Sequence, residues 1–86
     1  MMMLKSSALQ ADIDKKISKL HQQNQSLQED AIEEISIFFH RLPLSETQIM
    51  ESTCLQLADI FNFNATNRLR SLIATLIFCK YSDKIQ

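Results

Sequence analysis

The chain has 86 residues, of which 45% are apolar. That is enough for one small core and too much for a disordered segment. A formal net charge of −1 gives no global attraction to nucleic acid or to an anionic membrane. Cys54 and Cys79 are too few and too far apart for a disulfide scaffold; both fall in apolar stretches, so buried free thiols in a reducing compartment are expected. Met1 to Ser7 lack the basic flank and apolar run of a signal peptide. The longest membrane-like stretch, Leu72 to Cys79, lies between Arg70 and Lys80 and falls far short of the ~20 apolar residues of a span. A soluble, cytoplasmic protein with no membrane insertion is expected.

From about Ser7 to Gln25, Leu9, Ile13, Ile17 and Leu20 recur at steps of four, four and three, which predicts one helical stripe. The stripe continues through Asn24, Leu27 and Ala31 to Ile35, Phe38 and Leu42. One long helix and a helical hairpin both fit it. Ser26 with Glu29 forms a possible capping box, and the polar run from His21 to Gln25 suits a turn, which tips the reading towards a break near Asn24 to Ser26. Pro43, the single proline in a chain without glycine, stops the second apolar run. Ser45 with Gln48 then reads as a capping box and Leu44 with Ile49 as a hydrophobic staple.

The next helix is predicted from about Glu46 to Phe61, burying Met50, Cys54, Leu57, Ala58 and Phe61, with Ile49 and Ile60 flanking. Asn62-Phe63-Asn64 ends it, since asparagine tolerates the left-handed conformation. A last helix starts near Asn64 or Thr66 and runs to about Ser82. Its apolar arc, which includes Leu69, Leu72, Ile73, Leu76 and Ile77, is wide enough to be central in a core or part of a subunit contact. The expected fold is all-α: a small bundle of three to four helices in antiparallel hairpins, forming a single domain that is expected to dimerise. Residues 1–25 would be an N-terminal helix or coiled-coil arm, and 26–86 the core helices.

Asn24 on the stripe has two readings, a turn residue or a polar seam position that selects register and oligomeric state. Folding or pairing the segment antiparallel about Asn24 brings Lys15 to Glu33, Lys19 to Glu29 and Ile13 to Ile35. An intrachain hairpin and an antiparallel homodimer give the same pairs. His21 and His40 have no cysteine or carboxylate at a recurrent metal-ligand spacing. No nucleophile–base pair can be placed and there is no glycine-rich phosphate loop. No catalytic residue, metal or cofactor is therefore expected. Residues 56–72 look like a DNA-binding helix-turn-helix in which Thr66, Asn67, Arg68 and Arg70 would reach bases or phosphates. Against it, Arg68 stands where such motifs need an apolar packing residue, and an ordinary helical hairpin is the simpler reading.

Gln28-Glu29 leading into Glu34-Ile35, the Leu44-Ser45 approach to the next helix, Leu55 to Ala58, and the closing Leu72-Ile73-Ala74-Thr75-Leu76-Ile77-Phe78 together resemble the AriR/YmgB family of small biofilm and acid-resistance regulators. The resemblance covers residues from about 27 to the end. Leu42-Pro43 stands where members often carry a glycine- or asparagine-rich turn. It implies an α-helical homodimer that works as a connector or regulator, contacting another protein such as a phosphorelay component, or DNA modestly. It transfers no catalytic residues.

The leading expectation is a non-enzymatic regulatory module acting by protein–protein contact as a homodimer, with a regulatory protein as further partner. Ile13, Ile17, Leu20, Asn24 and Leu27 on the N-terminal stripe, and Leu72 and Leu76 on the last helix, are the candidate interface residues. The alternatives are the DNA-binding regulator and a helical chaperone or adaptor for a secretion system, with a groove for a partner helix.

Overall fold

The computed structural model describes the backbone of residues 2–85 and the side chains of residues 8–78. Four helices follow one another: α1 (Met2–Leu20), α2 (Gln25–Arg41), α3 (Thr47–Phe63) and α4 (Asn67–Ile85). α1 with α2 and α3 with α4 form two antiparallel hairpins. The hairpins pack through α1 on α3 and through α2 on α4. The segment between α2 and α3 therefore joins helices on a diagonal of the bundle. Residues from both hairpin turns line common clefts at one end, which puts that linker at the other.

Each break has a local cause. The amides of His21 and Gln22 close back onto the carbonyls of Ser18 and Lys19 at 3.2 Å, the tight i→i+3 geometry of a fraying helix end. Gln28 reaches back from α2, and its Nε2 donates to the carbonyls of Leu20 (3.2 Å) and Gln22 (2.9 Å). Asn24, in extended conformation, accepts the Leu27 amide on Oδ1 at 3.1 Å. The predicted break is thus real, but Asn24 is the cap rather than Ser26, and α2 begins two residues before the expected capping box allows.

Leu42 takes the extended backbone imposed on a residue before proline. Pro43 then starts a turn, closed by the Glu46 amide on the Pro43 carbonyl at 3.0 Å. That turn moves the start of α3 to Thr47, so Glu46 occupies the cap position and the Ser45–Gln48 box does not form. The Leu44–Ile49 staple is absent as well: Leu44 is 74% exposed while Ile49 is buried. α3 ends at Phe63 with Asn64 at φ −153°, ψ 47°, and no described residue has positive φ, so the expected left-handed asparagine does not occur there. Thr66 then caps α4, its hydroxyl accepting the Leu69 amide at 3.2 Å.

The core takes one stripe from each helix: Ile13, Ile17 and Leu20; Ala31, Ile35, Phe38 and Phe39; Ile49, Thr53, Leu57 and Ile60; Leu69, Ile73 and Leu76. The α3 stripe is rotated from the expected one. Met50, Ala58 and Phe61 are only half-buried, and the fully buried Thr53 sits in their place. Its hydroxyl donates to the Ile49 carbonyl at 2.7 Å, so a polar atom enters the core already satisfied. Cys54 is buried, as expected, and forms no disulfide among the described residues; Cys79 lies outside the described side chains.

Candidate functional site

The residues expected to form a subunit contact fall into two groups. Ile13, Ile17, Leu20 and Leu76 are buried within the single chain, so their apolar surface is already used by the intrachain core. Asn24 stands in the α1–α2 turn as a cap, not on a seam. Leu27 is exposed and Leu72 half-buried. The charges on the first hairpin also choose other partners. Lys19 Nζ donates to Glu34 at 2.8 Å, not to Glu29, and Lys15 with Glu33 is not among the ion pairs of the described residues.

Glu29 turns instead to the second hairpin. Arg68 Nε donates to Glu29 Oε2 at 2.9 Å, and a terminal guanidinium nitrogen donates to the same oxygen. The Arg68 hydrogen bond, with help from Gln25, holds the Glu29 carboxyl below its ordinary value of 4.5. Arg68 lies in the first turn of α4, where a cation meets the positive end of the helix; the Glu29 carboxylate offsets both. Arg70 is held as well, its Nε donating to the Phe61 carbonyl at 2.9 Å with its guanidinium over the Phe61 ring. Of the four residues proposed to touch nucleic acid, both arginines and the Thr66 hydroxyl therefore make contacts within the chain, and Asn67 is exposed.

A further apolar surface open to solvent lies elsewhere. Along the outside of the second hairpin, Glu51, Cys54, Leu55 and Ala58 of α3 and Ile77 of α4 line a shallow groove of about 440 Å³. Leu55 is 69% exposed, and Phe78, the residue after Ile77, is 73% exposed. Leu55 and Phe78 belong to two of the segments that carry the family resemblance, and the buried face expected for α3 did not include Leu55. At ~100° per residue, Phe78 lies about half a turn from Leu69, and Leu55 lies opposite the Ile49–Thr53–Leu57–Ile60 stripe. A helical projection finds both residues once the buried stripes are known.

Among the described residues no group of three or more histidines, cysteines or acids is placed to hold a metal ion, and no helix is long and apolar enough to cross a membrane. No family model, curated protein or solved structure matches the chain.

Proposed function

We propose that this protein is a non-enzymatic regulatory connector that works by protein–protein contact as a homodimer, and that the outer face of the α3–α4 hairpin is its dimer contact. The observation that supports this reading is the exposure of Leu55, which lines the Ala58–Ile77 groove, and of Phe78, the residue after Ile77, on a chain whose N-terminal stripe is consumed internally. A two-fold dimer needs a face that is complementary to itself, and the protruding Leu55 side chain beside a groove puts a knob and a hollow on one face. A contact of about 800 Å² per partner is about one-eighth of the 6053 Å² surface, within reach of one two-helix face. The regulatory role, in a biofilm, acid-stress or phosphorelay pathway, rests on the resemblance of residues from about 27 onward to the AriR/YmgB family.

Light scattering tests the reading directly. The intact chain is expected at twice its 10.0 kDa mass, and the double variant Leu55→Lys with Phe78→Lys at the monomer mass with unchanged helicity. A wild-type chain that stays monomeric at high micromolar concentration overturns it.

A further inference from the structure

Phe63, on the last turn of α3, is 84% exposed, more than any other large apolar side chain described. Two depressions adjoin it at the turn end of the bundle. One, of about 640 Å³, is lined by Gln23, Gln25 and Arg68 among others; the second, of about 440 Å³, by His21, Gln56, Asp59 and Ile60. Phe63 and Asn64 line both, so they form the ridge between them. A ligand that fills both hollows must cross that ridge. An elongated chain does so, and a compact small molecule does not.

The chemistry of the two hollows differs. In the larger one, the charges of Arg68 and Glu29 satisfy each other and the Gln25 amide is directed to Glu29. Of the other amide side chains there, Asn24 and Gln28 are engaged in the α1–α2 turn, and Gln23 and Asn64 carry donors and an acceptor as peptide groups do. In the smaller one, Asp59 makes no ion pair among the described residues and favours a cationic neighbour. An exposed aromatic residue set among polar groups has the anatomy of an interface anchor.

We infer that this end of the bundle docks an extended segment of another protein, with an apolar residue against Phe63, uncharged backbone along Gln23 and Asn64, and a basic side chain beside Asp59. This surface is separate from the α3–α4 groove, so a connector could hold its own copy on one face and a partner at the other.

A random peptide library displayed on phage, panned against the intact chain, provides the test. Selected peptides are then synthesised and titrated by calorimetry. The expected winners combine an aromatic or aliphatic residue with a nearby lysine or arginine. Phe63→Ala is expected to weaken them by about tenfold or more, and Asp59→Asn to abolish the preference for the basic residue. Both positions are exposed, and circular dichroism checks that helicity is retained. No enrichment, or peptides indifferent to both substitutions, overturns the inference. The light-scattering mass of Phe63→Ala should equal that of the wild type, so failure here and failure of the homodimer are read separately.

Discussion

Glu29 pairs with Arg68, 39 positions along the chain, and not with Lys19 as its position in the first hairpin suggested. The consequence is a defined acid response. Its folded carboxyl titrates below the ordinary 4.5, so the ionised form stabilises the folded state above that pH, and the contribution is lost as pH falls through the lowered folded value. Thermal melts on either side of pH 4.5 should show Glu29→Gln less sensitive to acid than the wild type, with the two converging at the acid extreme. Thr53 offers a second residue-level test. The Ile49 carbonyl that accepts its hydroxyl also has the helical i→i+4 partner, so removing the hydroxyl orphans nothing. Thr53→Val is expected to change stability by no more than about 1 kcal/mol. Leu57→Ala, one turn on and fully buried, should cost about 2–5 kcal/mol. Denaturant titrations compare the two.

At the scale of the element, the helices after Pro43 were legible because their apolar periodicity is strong and the breaks before and after α3 carry chemical marks, whereas the N-terminal stripe fitted one long helix as well as the two observed. The caps were harder. Asn24 and Ser26 both qualify by residue type, and the choice fell to a long-range detail: Gln28 ties down the Leu20 and Gln22 carbonyls, fixing the turn so that Asn24 meets the Leu27 amide. Asn24→Ala should therefore cost about 0.5–2 kcal/mol and Ser26→Ala far less, a contrast that thermal melts resolve. The α3 face was misread because Met50, Cys54, Leu57 and Phe61 carry as good a helical period as Ile49, Thr53, Leu57 and Ile60. Only packing against α1 and α4 selects the stripe that includes a threonine.

For the whole molecule, a hairpin and an antiparallel dimer share one charge pattern, and the pattern alone left that choice open. The folded chain resolves its N-terminal stripe internally. A chain beginning at Ser26 would lose the buried Ile13, Ile17 and Leu20, at ~1.5–3 kcal/mol each, a sum comparable with the ~5–15 kcal/mol that holds a small domain together. Such a truncation is expected to lose helicity by circular dichroism and not to yield a folded monomer. The exposed candidate surfaces were the least legible part. Exposure is what remains after packing, and a lone Leu55, Phe63 or Phe78 reads in the sequence like any core residue.

The diagonal linker gives the bundle the mechanics of a book. Residues 42–46 are the spine, binding the two hairpins covalently at one end. At the opposite edge no chain crosses between them, and among the described residues the only ion pair joining the covers is Arg68–Glu29. The shared core and this one ion pair, not the backbone, therefore hold the hairpins together at that edge, beside Phe63.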